Sequence, residues 1–179
     1  IGNSLDTLVR QCDINGNGTL DPIHVSTLNP NPSAFADHEW LAATYTFDGQ
    51  TIHALIHNEY QGHLYPGISG CTGSYFECWH NSITSTISTD RGKTYSQQST
   101  LEASLPYVYD PTYGQPRGYF ATSNIIKKGG LLYALFQAES YGAQQTGVCV
   151  MRADPAEQDG DGSLVWRFYD GDPSNDSQG

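Results

Sequence analysis

Trp40-Leu-Ala-Ala-Thr-Tyr-Thr-Phe47, then Asp48-Gly49-Gln50, then Thr51-Ile-His-Ala-Leu-Ile-His-Asn-Glu59: an aromatic and β-branched run, a turn, and a second such run. Asp-Gly supplies the positive φ angles of a two-residue turn, so the stretch predicts an antiparallel hairpin. Beyond a Gly- and Cys-containing excursion, Trp79 to Thr89 carries Ile83, Ser85 and Ile87 on alternate positions among polar residues and predicts a third strand.

The hairpin recurs. Ala54-Leu-Ile-His-Asn-Glu59 and Ala134-Leu-Phe-Gln-Ala-Glu139 stand 80 residues apart, each preceded by a ring (His53, Tyr133) and by a turn (Asp48-Gly49, Gly129-Gly130). Tyr119 to Ile126 echoes Trp40 to Phe47, and Gly147 to Asp154 stands where Ser85 to Asp90 stood. A repeat of about four strands is too thin to bury its own faces and needs a neighbour, the signature of propeller blades. The expected fold class is therefore all-β, with antiparallel four-stranded sheets as blades of a partial or incomplete propeller. Residues 1–36 form an N-terminal extension, 37–100 and 101–172 the two blades, and 173–179 a polar tail. Two blades do not close a ring, so a further chain or a missing segment is expected to complete it. The chain begins at Ile1, as expected of a mature or cleaved product.

Twelve Tyr, nineteen Gly, nine Pro and one Met agree with an all-β chain, and only residues 1–10 offer a short helical pattern. No stretch approaches the roughly 20 apolar residues of a membrane span. With 19 acidic residues against eight Lys and Arg, the net charge is −11. That balance repels phosphate backbones and anionic membranes, which argues against nucleic-acid binding and against a polyanionic glycan.

Of the four cysteines, Cys71 and Cys78 bracket a short loop and are expected to form a disulfide, the alternative being two buried thiols. Cys12 and Cys149 either pair across the fold or stay free. The sequons Asn17-Gly-Thr19 and Asn175-Asp-Ser177 are compatible with a secreted or extracellular protein. Asp13-x-Asn15-x-Asn17-Gly18-Thr19-Leu20-Asp21 has the oxygen ligands and glycine of a calcium loop, Asp13, Asn15, Asn17, Thr19 and Asp21 being the candidate ligands for Ca2+. His24 stands where an EF-hand has its bidentate Glu, and Pro22 bars the exiting helix, so an Asx-rich surface turn is the competing reading.

The densest polar cluster is His57-Asn-Glu-Tyr-Gln-Gly-His63, where an apolar strand turns polar as it leaves the sheet. Glu59 suits a general acid, and His57, Tyr60 and His63 suit contacts with sugar hydroxyls. Asp37, just ahead of the Trp40 strand, is its expected partner, with Glu139 in reserve. Asn124, Gln137, Glu139 and Arg152 are polar at strand positions; Asn124 and Arg152 join the candidate binding residues, although a salt bridge to Glu139 would equally explain Arg152. Tyr65, Tyr75, Phe76 and Trp79 form either a wall on which sugar faces stack or a small core.

Ser88-Thr-Asp-Arg-Gly-Lys-Thr-Tyr95 resembles the Asp-box of sialidases and related propellers, with Tyr95 in place of its Trp. With the Ala-Leu-Ile-His-Asn-Glu strand, Ser123-Asn-Ile-Ile126 and Cys149-Val-Met-Arg152, the chain is similar to the five-bladed propeller glycoside-hydrolase-like superfamily over roughly residues 24–172. The resemblance implies a structural turn in which Asp90 bonds backbone amides, Gly92 is left-handed and Tyr95 packs beneath. It also implies a secreted, carbohydrate-active protein that cleaves a glycosidic bond with a carboxyl pair. The alternative is a non-catalytic glycan-binding or structural subunit of an extracellular surface or filament.

Overall fold

A computed structural model describes residues 8–10, 18, 22–96, 100–103, 109–139 and 145–168. Two short strands, β1 (Leu8–Arg10) and β2 (Pro22–Val25), pair antiparallel ahead of the main sheet, so Leu8–Arg10 is extended where a short helix was expected. The opening hairpin follows as β3 (His38–Thr46) and β4 (Ile52–Gln61). Its connection is residues 47–51 and not a two-residue turn: only Gly49 has positive φ, at +72°. The Asp48 carboxylate instead accepts the backbone N–H groups of Gln50 and Thr51 at 2.7 and 2.8 Å, an Asx-type turn.

From β4 the chain meanders. β5 (Trp79–Ser88) pairs antiparallel with β4 along its whole length, from Ile52↔Ser88 to Gln61↔Trp79, and β6 (Thr100–Ala103) pairs with β5. The second meander opens with a broken strand. β7 (Arg117–Phe120) and β8 (Ile126–Lys128) both pair with β9 (Leu131–Ala138). Between them Ser123 N–H donates to the Leu135 carbonyl at 2.7 Å, and Leu135 N–H to Ser123 Oγ at 2.9 Å. β10 (Gly147–Gln158) and β11 (Leu164–Phe168) complete it. The Asp159–Ser163 turn between them is closed by Asp159 N–H to the Ser163 carbonyl at 2.9 Å.

The two meanders are not separate sheets. β7 also pairs with β5 in parallel, His80↔Arg117 and Asn81↔Gly118, which makes one open nine-stranded mixed sheet. The main path runs β11-β10-β9-β7-β5-β4-β3, with β6 beside β5 and β8 beside β9.

One face of each meander packs on the other. Ala43, Leu55, Ile83 and Ala103 from the first meet Leu132, Ala134, Phe136, Met151 and Trp166 from the second. β4 is buried on both faces, since Ala54 and Ile56 are as enclosed as Leu55. That explains its unbroken apolar run, and each side chain of Leu size contributes about 2 kcal/mol by leaving water. Ala54 and Ala134 are both buried on the second strand of their meanders, but only Ala134 belongs to this core, which on β4 takes Leu55 instead.

Glu102 on β6 sits in this interface, accepting a hydrogen bond from Ser85 Oγ. Burial, reinforced by Asp159 and Asp161, pushes its carboxyl up to about 7. The native state then holds a proton that the unfolded chain, titrating near 4, gives up earlier. Stability from this group is full below about pH 4 and falls as pH rises toward 7. Glu102→Gln is expected to gain about 2 kcal/mol at pH 8 and almost nothing at pH 4. Urea unfolding at the two pH values checks this, and equal gains at both would contradict it.

The loop after β5 has the geometry that the Asp-box resemblance implies. Asp90 Oδ1 accepts Thr94 N–H at 2.9 Å, Asp90 Oδ2 accepts Thr94 Oγ1–H at 2.7 Å, and Ser88 Oγ accepts Gly92 N–H at 2.9 Å. Gly92 lies at φ +79° and Tyr95 is buried. These bonds hold the Asp90 carboxyl at about 2. Its contribution is present above the ordinary Asp range and is lost as pH falls toward 2. Asp90→Ala is expected to lower stability by about 1 kcal/mol at pH 7, read as a shift in urea midpoint, with the difference closing near pH 2.

Between β4 and β5 lies the insertion that the second repeat lacks: a 3-10 turn (Gly62–Leu64), the single helical turn α1 (Pro66–Ser69) and a second 3-10 turn (Phe76–Cys78). Cys71 and Cys78 form the expected disulfide, with Cα atoms 6.0 Å apart. Cys149 on β10 is a free thiol, and Cys12 lies outside the described residues. No helix among the described residues is long and apolar enough to cross a membrane.

Candidate functional site

The cross-strand register puts an aromatic ring beside a polar residue at corresponding places in the two meanders. In the first, Trp40 on β3 faces His57 on β4; in the second, Phe120 on β7 faces Gln137 on β9. Two residues further along the second strand comes a glutamate, Glu59 or Glu139. Strand side chains alternate with period two, so each Glu shares a face with its polar neighbour. Both sets line one hollow of about 550 Å³, whose lining includes Trp40, His57, Glu59, Trp79, Phe120, Gln137 and Glu139. The volume lies within the usual range of small-ligand sites, which runs from about 300 to 1,000 Å³.

Glu59 is the better held of the two acids. It is 4% exposed. Tyr75 Oη donates to its Oε1, as does Gln61 Nε2 at 2.8 Å, and His57 Nε2 stands 3.4 Å from Oε2. On its other side His57 Nδ1 accepts the Ala121 N–H at 3.3 Å. A neutral ring that accepts at Nδ1 carries its hydrogen on Nε2, so the Ala121 amide turns His57 into a donor toward Glu59. The pairing repeats in the second meander, where Gln137 Nε2 donates to Glu139 Oε1 at 2.6 Å. Glu139 is half-buried, and Thr146 Oγ1 donates to its Oε2 at 3.4 Å.

Aromatic rings make the wall. Trp79 stacks on Tyr75 with centroids 4.9 Å apart and meets Phe120 edge-on at 5.5 Å. His57 stands 5.7 Å from Trp40 and 6.3 Å from Phe120, bridging the two halves. Of the aromatics in the insertion, Tyr75 and Phe76 back Trp79, which alone of the four lines the hollow. Tyr65 instead stacks on Tyr60.

Several expected site residues lie elsewhere. Asp37 is 1% exposed and committed. Its Oδ1 accepts Tyr65 Oη–H at 2.6 Å, its Oδ2 accepts Gln61 N–H at 2.9 Å, and His38 Nδ1 is 2.9 Å from Oδ1. It ties the start of β3 to the end of β4 and does not line the hollow, whereas Glu139, the reserve candidate, does. Tyr60, one residue on from Glu59, faces the other way and donates to the Pro30 carbonyl at 2.9 Å. His63 packs edge-on against Tyr75 behind the wall, and burial, with His38 nearby, lowers its pKa. Asn124 is exposed in the break between β7 and β8. Arg152 pairs in register with Tyr133, whereas Glu139 lies just beyond Ala138, which faces Gly147. Six strand steps, about 20 Å, separate the two positions, so the Arg152–Glu139 salt bridge offered as the alternative does not form.

Trp40, Phe120 and Gln61 are site residues that the sequence reading did not single out. Gln61 was within reach of it, because position 61 continues the 57, 59 alternation. The calcium-loop residues Asp13, Asn15, Asn17, Thr19 and Asp21 lie outside the described residues. Among the described residues no group of three or more His, Cys, Asp or Glu is arranged to hold a metal ion. No family model, curated protein or solved structure matches the chain.

Proposed function

We propose that the protein binds a glycan in the hollow and hydrolyses a glycosidic bond there, with Glu59 and Glu139 as the carboxyl pair. One observation carries the reading: two glutamates from corresponding strands open onto one cavity walled by Trp40, Trp79 and Phe120. Sugar rings present apolar C–H faces that pack on aromatic rings, and glycoside hydrolysis needs one carboxyl group to protonate the leaving oxygen and another to activate water or attack carbon. The partners of Glu59 (Tyr75, Gln61 and His57) are all donors. Donors on every side suit Glu59 as the base or nucleophile of the pair. This reverses the role expected of Glu59 from sequence.

The reading of each meander as a propeller blade rests on the four-strand repeat and on the Asp-box loop between the third and fourth strands of the first. A disulfide and the acidic composition are compatible with a secreted protein. A second reading, a structural or glycan-binding subunit of an extracellular assembly, is favoured by the outer face of the second meander. There Ile126 is 60% exposed, Val148 72% and Leu135 45%, although Leu55, the counterpart of Leu135, is fully buried. Release of reducing ends from a panel of neutral polysaccharides by the wild-type protein, lost in Glu139→Gln, supports the enzyme. Glycan binding without release at any pH from 4 to 8 supports the second reading.

A further inference from the structure

We propose that the hollow selects its sugars by charge: it takes glycans that are neutral or carry a protonated amine, and rejects those that carry a carboxylate or sulfate. The inference rests on the carbohydrate reading above and adds the substrate class. Recognition of an acidic sugar favours a Lys or Arg at the site, and the described lining of the hollow holds none.

The whole chain has only eight Lys and Arg, at positions 10, 91, 93, 117, 127, 128, 152 and 167. None of the seven whose side chains are described lines the hollow. Arg91 and Lys93 belong to the loop after β5, and Lys127 lies over the Phe47 ring, 5.3 Å from its centroid. Arg152 and Arg167 face each other across β10 and β11, with Arg167 bonded to Glu157. Arg10 is on β1, outside the main sheet, and Lys128 ends β8 opposite Leu131. Arg117 comes closest in sequence, next to the lining residue Pro116. It turns away to stack on Tyr113 in a separate small cavity shared with Glu77, His80 and Asp110.

Side-chain donors at the hollow already have its own acids as partners. His57 Nε2 and Gln61 Nε2 serve Glu59, and Gln137 Nε2 serves Glu139. A sugar carboxylate entering here would meet the carboxylates of Glu59 and Glu139 beside the Trp40, Trp79 and Phe120 rings. A protonated amine would find the reverse, with carboxylates for ion pairing and Trp40, Trp79 and Phe120 for cation–π contact. The net charge of −11 extends the same bias to approach from solution.

The test is binding by isothermal titration to the intact protein at pH 6.5 of matched oligosaccharides of glucose, galactose, mannose and xylose, with their uronic-acid and 2-amino counterparts where these exist. At low salt the uronate of any neutral sugar that binds is expected to bind at least about tenfold more weakly, and the amino form at least as tightly. Half-molar salt should shrink the gap, because screening falls on the charge term alone. Glu139→Gln should shrink it too, while Asp90→Ala, away from the hollow, should leave the ratio unchanged. A uronate that binds as well as or better than its neutral counterpart would overturn the inference and leave the carbohydrate reading standing. If no member of the panel binds, both fall together.

Discussion

Glu59→Gln is expected to lower glycan hydrolysis by about 10³-fold with little change in fold, as judged by an unaltered urea midpoint. The amide keeps the size of the carboxylate and retains one oxygen for Tyr75 and Gln61, so the packing behind Trp79 survives. It loses the charge and the basicity, and it turns an NH2 group toward the His57 Nε2–H, which then faces a donor. His57 has the Ala121 amide as the alternative anchor for its ring, so the ring stays in place and the loss falls on turnover. A fall in kcat with little change in KM is the expected split, since the aromatic wall that binds the sugar is untouched. Unchanged hydrolysis would remove Glu59 from the mechanism.

Gly118→Ala is expected to destabilise the protein by more than about 3 kcal/mol and to abolish ligand binding with it. Gly118 lies at φ +114°, and a Cβ there would stand 2.0 Å from the Asn81 carbonyl oxygen, with the Asn81 backbone nitrogen and carbonyl carbon each at 2.8 Å. All three obstacles are main chain, so no side-chain rotation relieves the clash. The short parallel contact between β5 and β7 must open, although it is what joins the two meanders by hydrogen bonds. Phe120 and Ala121, two and three residues on, would leave the hollow and release His57 Nδ1. A urea midpoint within experimental error of the wild type would contradict this. Gly49→Ala, at a site with nothing within 4 Å of the added carbon, is the control for left-handed strain alone.

The strands of both meanders were legible because their signals are local. β-branched and aromatic runs, the Asp48-Gly49 turn and the Ser88 to Tyr95 loop act over a few residues, and the short span between Cys71 and Cys78 favoured their closure. The polar end of β4 was legible for the same reason: His57 and Glu59 break an apolar strand at positions two apart. Long-range geometry was not. The parallel pairing of β5 with β7 depends on one backbone conformation at Gly118, which no neighbouring residue announces. It turned two expected sheets into one.

The choice of Asp37 as the second acid failed on depth. Proximity to a strand start is visible in sequence, whereas burial against Tyr65 and the Gln61 amide is not. Tyr60 was avoidable, since period-two alternation already places it opposite Glu59. Trp40 and Phe120 become partners of His57 and Gln137 only once register is fixed, and register shifts inside each hairpin, at the irregularity between Leu41 and Ala43 and at the break between β7 and β8.

A crystal structure of the protein with a bound neutral oligosaccharide tests the central claim most directly, that corresponding strands of the two meanders deliver Glu59 and Glu139 to one glycan site. The expected result is a sugar ring on Trp40, Trp79 or Phe120 with the two carboxyl groups on either side of a glycosidic bond and within about 10 Å of each other. A sugar bound away from these rings, or the two carboxyl groups facing apart with solvent between them, would contradict it.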